Sequence, residues 1–77
     1  MKKIVGVIIS NPIIKGDFCI YEVQSLNEKY KVISKGYQSV KDNVFINKGQ
    51  CIEVFGDIID GIMYTKKSRI VLRKVEM

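Results

Sequence analysis

The sequence predicts an all-β protein, a small closed barrel of five strands with at most one short helix. Apolar and polar residues alternate along most of the chain, whereas the helical spacing of apolar residues never persists for more than about two turns. The chain is also short, since 77 residues predict one domain, spanning 1–77, with a modest core. An open sheet of five strands would leave long exposed edges, and closing the sheet into a barrel removes them.

The first strand is predicted over residues 2–10, "KKIVGVIIS". Its continuous apolar run predicts burial on both faces, and Gly6 predicts a bulge or a sharp bend. The next segment, "NPIIKGD" at residues 11–17, is predicted to be a loop because Asn-Pro and Lys-Gly-Asp are typical of turns.

A hairpin and a short helix follow. The second strand (residues 18–26) and the third (residues 29–35) flank a tight connection at Asn27 and Glu28, which predicts an antiparallel pair. The segment "GYQSVKDNVFINKG" at residues 36–49 has no strand alternation. Within it, Ser39 followed by Asp42 resembles a weak capping box and predicts a helix of about one or two turns.

The fourth strand is predicted over residues 50–59, and the fifth over residues 62–75. Between them, Asp60 and Gly61 form a turn, because Asp-Gly readily adopts the backbone conformations that a tight hairpin requires.

The stretch "KGQCIEVFGDI" resembles the start of the fourth strand in OB-fold nucleic-acid-binding domains, where a Lys-Gly-polar turn precedes alternating apolar residues and a glycine. The segments "IVGVI", "FCIYEVQSLNEKYKVISKG" and "YTKKSRIVLRKV" extend the resemblance over nearly the whole chain. Their order is similar to that of bacterial single-stranded DNA-binding and anticodon-binding-type OB domains, and no single family is identified. The resemblance implies a Greek-key barrel. An SH3-like barrel is the structural alternative, which the long insertion at 36–49 disfavours.

The composition argues against catalysis and cofactors. The sequence has no histidine and only two cysteines without metal-ligand spacing, so we expect no metal site, no catalytic residues and no cofactor. Cys19 and Cys51 are expected to be reduced and buried. The apolar run at residues 4–9 is far shorter than the roughly 20 residues that span a bilayer, which predicts a cytoplasmic protein without membrane contact.

Basic residues are concentrated in two segments. Residues 29–48 carry five lysines against one acid, residues 50–61 carry three acids and no basic residue, and residues 62–77 carry five basic residues against one acid. Because the OB resemblance implies that the third strand borders the fifth, we expect the two basic segments to merge into one stripe. Such a stripe attracts phosphates through counterion release, without reading the base sequence.

Aromatic residues are interleaved with these charges. Phe18, Tyr21, Tyr30, Tyr37 and Tyr64 fall in or beside the hairpin and the loops that the resemblance places around a binding face. Exposed rings of this kind stack on unpaired bases. Alternation also allows Tyr21 and Tyr30 to be core residues. The candidate nucleic-acid-binding residues are Tyr21, Tyr30, Lys31, Lys35, Tyr37, Tyr64, Lys66, Lys67 and Arg69, with Arg73 on the same face of the fifth strand as Arg69.

These patterns favour sequence-independent binding of single-stranded nucleic acid, DNA more than RNA. Two alternatives stay open: the lysines form only a solvated outer face, or the barrel is an accessory module that pairs through a strand edge with a protein partner or a second copy of itself.

Overall fold

The computed structural model describes residues 1–71, which form six strands and one helix. The elements are β1 (Lys2–Ile8), β2 (Ile13–Lys15), β3 (Phe18–Ser25), β4 (Glu28–Lys35), α1 (Tyr37–Phe45), β5 (Cys51–Ile59) and β6 (Ile62–Val71). The predicted continuation of the last strand to residue 75, and with it Arg73, lies outside the described residues. Within residues 1–71, no helix is long and apolar enough to cross a membrane.

The strands close into a ring in the order β1, β5, β6, β4, β3, with β1 pairing again with β3. All these pairs are antiparallel except β4 and β6, which run parallel from Lys31↔Ile62 to Ile33↔Tyr64. The prediction of a small all-β OB-like fold, with the third predicted strand beside the fifth, is therefore confirmed.

Gly6 allows β1 to pair on both of its edges. A Cβ atom at this position would overlap the Gln24 carbonyl oxygen and lie 2.8 Å from Cγ1 of Val23, so the close approach of β3 requires glycine. The pairing of β1 with β5 runs without a shift from Lys2 to Val7. The predicted bulge at Gly6 is therefore absent from this ladder, and the glycine serves the β1–β3 crossing instead.

A short strand replaces part of the predicted loop. Residues Ile13–Lys15 form β2 and pair with β3 from Ile13↔Ile20 to Lys15↔Phe18. The same edge of β3 pairs with β1 only at Val23 and Gln24, so its first half would otherwise present unpaired backbone groups. The predicted hairpin turn is shifted by one residue, because Ser25 pairs with Glu28 and the connection is Leu26–Asn27.

The core is formed by inward-facing residues of all five long strands, among them Ile4, Val23, Val32, Val54 and Met63. Val5 and Val7 of β1 are exposed, so the predicted burial of both faces of this strand is wrong. Among residues 1–71, β1 contacts only β3 and β5, its partners in the sheet, so no element covers its outer face. Exposed valines are nevertheless common on strands, where β-branched side chains are favoured.

The two cysteines lie on opposite faces of the barrel wall, and both are free. Cys19 is fully buried between core strands, as predicted. Cys51 is only half-buried, which corrects the prediction, because it alternates onto the outer face together with Glu53 and Phe55.

Helix α1 lies against β3, β4 and β6. Gly36, with φ of 63°, is its N-cap, and the Ser39 hydroxyl donates to the Gly36 carbonyl oxygen at 2.7 Å. The predicted capping box is therefore wrong, since Ser39 lies inside the first turn. Asp42 is fully buried, and its Oδ1 accepts hydrogen bonds from Nε2 of Gln38 at 2.7 Å and from Oγ of Ser68 at 2.9 Å. This carboxylate connects the helix to β6.

Replacing Asp42 by Ala is expected to destabilise the fold by about 1–3 kcal/mol, because Ser68 and Gln38 lose their acceptor in a water-poor site. Asp42→Asn keeps an Oδ1 acceptor and should cost less than half as much. Urea unfolding of both variants measures this difference. Equal losses in the two variants would show that the negative charge, and not the acceptor, matters.

Alkaline pH is expected to weaken the fold. Burial, and to a lesser extent the Asp42 carboxylate, raises the pKa of the Cys19 thiol from 9.0 to about 11. Burial, followed by the charges of Asp42 and Cys19, also raises the pKa of the Tyr21 hydroxyl. Above pH 9 the unfolded thiol loses a proton that the folded thiol retains, so the stability present below pH 9 declines as the pH rises towards 11.

The expected slope is on the order of 1 kcal/mol per pH unit for each such group, measured by urea unfolding between about pH 8 and pH 11. Cys19→Ala should make the decline shallower although its starting stability is lower. A wild-type stability that stays flat over this range is the contrary result.

Candidate nucleic-acid interface

The outer surface of the β3–β4 hairpin combines apolar and basic side chains. On β4, alternation turns Val32 and Ser34 into the core and leaves Lys31 and Lys35 outside. Across the ladder Phe18 lies opposite Lys35, Ile20 opposite Ile33, and Glu22 opposite Lys31. The surface therefore has an apolar centre with a lysine at each end.

The start of β6 extends this surface on one side. The register Ile33↔Tyr64 places the Tyr64 ring beside the outer face of β4. The register between β5 and β6 shifts at Phe55 and Gly56, so that Phe55 pairs with Lys67, Gly56 pairs with Thr65, and Lys66 is the extra residue of a bulge. As a result Lys66 and Lys67 are both exposed, although they are adjacent in the chain.

Strand β2 extends the surface on the other side, because Ile13 pairs with Ile20 and Lys15 with Phe18. We name the whole surface the β3–β4 face. It contains Ile13, Lys15, Phe18, Ile20, Glu22, Lys31, Ile33, Lys35, Asp57, Tyr64 and Lys66. Among the described residues, none of its four lysines lies within 4.0 Å of a carboxylate oxygen. Their charges are therefore available to an anionic partner.

Two hollows lie on the β3–β4 face. One, of about 150 Å³, is between β4 and the β5–β6 hairpin and is lined by Phe18, Tyr64 and Thr65 among others. The other, of about 300 Å³, is beside β2 and is lined by Ile13, Ile20 and Lys31 among others. Phe18 and Tyr64 are 44% and 41% exposed as whole residues, and both occupy outward-facing positions of their strands.

The predicted tyrosines have four different environments. Tyr21 is 1% exposed, so its predicted role in binding is wrong: it alternates with Cys19 and Val23, and all three point into the core. Tyr30 is half-buried and packs against the core. Tyr37 is 83% exposed at the first residue of α1, two positions after Lys35. Tyr64 lies on the β3–β4 face.

Lys67 and Arg69 lie elsewhere on the barrel. Lys67 is over the ring of Phe55, with Nζ 5.8 Å from its centroid, and Arg69 donates from Nη2 to Oε1 of Glu53 at 2.8 Å. Only Ile62, Met63 and Tyr64 of β6 pair with β4, and the later residues of β6 pair with β5 alone. The predicted single stripe is therefore divided: Lys31, Lys35 and Lys66 come together, and Lys67 and Arg69 belong to the outer face of β5–β6.

Lys15 lies on the β3–β4 face although it was not among the predicted site residues. Lys15 reaches the face only because β2 forms, and a three-residue strand gives too little alternation to be recognised. Ser34 and Thr65 are also among the residues that line the 150 Å³ hollow, although their hydroxyl oxygens are buried, and no short motif marks them. Phe18 was recognised as an aromatic residue beside the hairpin but was not included in the site.

No family model matches the sequence, and no curated protein matches it either. Solved structures do resemble the fold. Mitochondrial single-stranded DNA binding protein Rim1 from S. cerevisiae matches with a TM-score of 0.80 and 17% identity, over 91% of both chains. A complex of TiaS with a tRNA, AMPCPP and agmatine matches with a TM-score of 0.79 and 20% identity over 91% of this chain. A ZRD-deleted mutant of TiaS in complex with agmatine has a TM-score of 0.77 and 20% identity over 88% of this chain.

This chain spans only 18% and 20% of the two TiaS chains but nearly the whole length of Rim1. At these identities the comparisons establish the fold alone. They agree with the ring of strands described above.

Proposed function

We propose that the chain binds single-stranded nucleic acid on the β3–β4 face. The observation that carries the proposal is the pair of partly exposed aromatic residues, Phe18 and Tyr64, set among lysines without ion-pair partners in the described residues. Unpaired bases stack on such rings, and the lysines neutralise the phosphates that follow the same path. In OB folds, the second and third strands and the adjoining loops are the usual site for oligonucleotides.

Single strands are preferred over duplex DNA in this proposal. In a duplex the bases are already stacked on each other and their faces do not reach Phe18 or Tyr64. The similarity in fold to Rim1, a single-stranded DNA binding protein, supports DNA as the ligand. The TiaS structure contains a tRNA, so single-stranded RNA is the ligand to compare with DNA.

The proposal makes this chain a binding module and not an enzyme. The face offers stacking surfaces and positive charge, and its two acids, Glu22 and Asp57, come from different strands. The cytoplasmic location predicted from the sequence belongs to the same proposal.

A second candidate function is that of an accessory subunit, favoured by one observation on a different surface. Tyr37, Val40 and Val44 of α1 are exposed, and their spacing places them along one side of the helix. This apolar row is separate from the lysines of the β3–β4 face. A protein partner there is compatible with nucleic acid on the face.

Removing two lysines of the face should weaken the salt dependence of binding. A single strand loses about 0.7 units of log-log salt slope per lost phosphate contact, so Lys31→Gln/Lys35→Gln should reduce the slope by about 1.4 units. Fluorescence anisotropy with an oligothymidylate at several salt concentrations measures the slope. Lys67→Gln/Arg69→Gln is the matched control, because it removes the same charge from the β5–β6 surface, and it should change the slope by less than half as much. Equal effects of the two pairs would mean that only net charge matters.

Removing the rings should weaken binding without changing the salt slope. Tyr64→Ala and Phe18→Ala should each cost about 1–3 kcal/mol of binding free energy if the ring stacks on a base. Tyr64→Leu keeps an apolar side chain in the strand and distinguishes loss of stacking from loss of folding. Phe45→Ala, which removes an exposed ring from the end of α1, should bind normally. Full affinity in both ring variants would leave the lysines as a solvated surface.

A further inference from the structure

Helix α1 has its polar and apolar sides the opposite way round from an ordinary surface helix. Its two buried residues, Ser39 and Asp42, are polar. Its exposed apolar residues, which are between 60% and 83% exposed, are Tyr37, Val40, Val44 and Phe45. A helix on a protein surface normally turns its apolar side to the core and its polar side to water. The exposed side of α1 therefore has the composition of a contact surface.

These apolar residues are neighbours on the helix and lie beside two hollows. Steps of three and four residues place Tyr37, Val40 and Val44 on one side, with Phe45 about 100° further round. One hollow, of about 450 Å³, is next to β2 and is lined by Ile14, Val40 and Val44 among others. Another, of about 430 Å³, is between α1 and β6 and is lined by Phe45, Ile46 and Ile70 among others. The exposed side of α1 is thus a ridge with concave apolar ground beside it.

The exposed charge on this ridge is positive. Residues 36–50 contain three charged residues, Lys41, Asp42 and Lys48, and Asp42 is buried. Lys41 lies four positions after Tyr37 and three before Val44, so it is adjacent to both on the helix. Among the described residues, no carboxylate oxygen lies within 4.0 Å of either lysine. We name Tyr37, Val40, Lys41, Val44 and Phe45 the α1 surface.

We propose that the α1 surface binds an acidic protein partner, through a segment that combines apolar side chains with an excess of Asp and Glu. The inference rests on the second candidate function, that of an accessory subunit, and it does not require nucleic-acid binding by the β3–β4 face. Apolar side chains of the partner cover Val40 and Val44 and enter the hollow next to Ile14. Carboxylates of the partner lie near Lys41 and Lys48, where they assist association and exclude basic partners.

Other occupants fit the α1 surface less well. The chain has a net charge of +5, and a second copy would bring the lysines of two helices together. Nucleic acid would find no flat ring on Val40 or Val44 on which a base stacks. An anionic membrane would be attracted by the lysines, but side chains of a protein fill the concave ground beside the ridge and a bilayer does not.

The test uses a displayed library of random peptides about 16 residues long, enough for a helix to form on binding. Peptides are selected on the wild-type protein and then passed over Val40→Ser/Val44→Ser, which removes apolar side chains without changing the charge. Both valines are exposed, and Ser and Val have similar helix propensities, so this variant should keep the wild-type Tm. Peptides that bind only the wild type should combine apolar residues with more Asp and Glu than Lys and Arg.

A matched pair of charge variants tests the two lysines. Lys41→Gln/Lys48→Gln should weaken the binding of a selected peptide roughly fivefold, as expected for two ion pairs at the rim of an interface. Fluorescence anisotropy of the labelled peptide measures the change. Lys2→Gln/Lys3→Gln removes the same charge from β1, which does not contact α1 within residues 1–71, and should change the affinity by less than about twofold. Equal effects of the two pairs would show that the peptide follows net charge alone, and would overturn the inference.

The inference is also overturned if no peptide distinguishes the wild type from Val40→Ser/Val44→Ser, or if those that do are neutral or basic. Two further results would assign the surface to another occupant. One is a wild-type dimer in sedimentation equilibrium that the serine variant dissociates, and the other is binding to phosphatidylglycerol vesicles that the serine variant loses.

Oligothymidylate binding separates this inference from the nucleic-acid proposal. Val40→Ser/Val44→Ser should bind oligothymidylate as the wild type does, and a loss of that binding would assign the α1 surface to nucleic acid. If the wild type binds no oligonucleotide but selects acidic, apolar peptides on α1, the nucleic-acid proposal fails and the acidic partner stands.

Discussion

The candidate site depends on the parallel pairing of β4 with the first three residues of β6. This pairing closes the ring, and it brings residues that are distant in the chain, such as Ile33 and Tyr64, to adjacent places on one surface. It is short because β6 then diverges and continues beside β5 alone. The point of divergence decides which basic residues belong to the β3–β4 face and which belong to the outer face of β5–β6.

Two glycines permit this closure. Gly6 lets β1 cross closely over β3, and Gly56 lets β5 pass close to Met63 and Tyr64, where a Cβ would overlap the Tyr64 carbonyl oxygen. The second contact lies at the bulge that also turns Lys66 outward. The glycine that lets β5 approach β6 closely and the bulge that exposes Lys66 therefore lie at the same place in the β5–β6 ladder. The interior also contains polar groups: among residues 1–71, buried side-chain oxygens of Tyr21, Ser34 and Asp42 have no hydrogen-bond partner, which an all-apolar core would avoid. Asp42, whose Oδ1 accepts hydrogen bonds from Gln38 and Ser68, attaches α1 to β6.

The sequence predicted the fold better than the site, for physical reasons that particular residues illustrate. Alternation identified the five long strands, and Asp60-Gly61 identified their last turn, because these signals are local. β2 was missed because only three residues pair, and the capping box was wrong because Ser39 bonds backwards to Gly36 from within the helix. Charge counting placed Arg69 in the site, since composition does not show that Glu53 lies directly opposite. Tyr21 and Tyr64 have the same side chain, and only register in three dimensions makes one a core residue and the other an exposed ring.

Chemical-shift mapping tests the central claim most directly, because it locates the bound strand without altering the protein. Backbone amide resonances of the labelled protein are assigned and followed during titration with a short oligothymidylate. We predict that the largest changes occur at Lys15, Phe18, Ile33, Lys35, Tyr64 and Lys66, with small changes at Glu53, Phe55 and Lys67. Changes centred on the outer face of β5–β6 or on α1, or no change at any strand concentration, would contradict it.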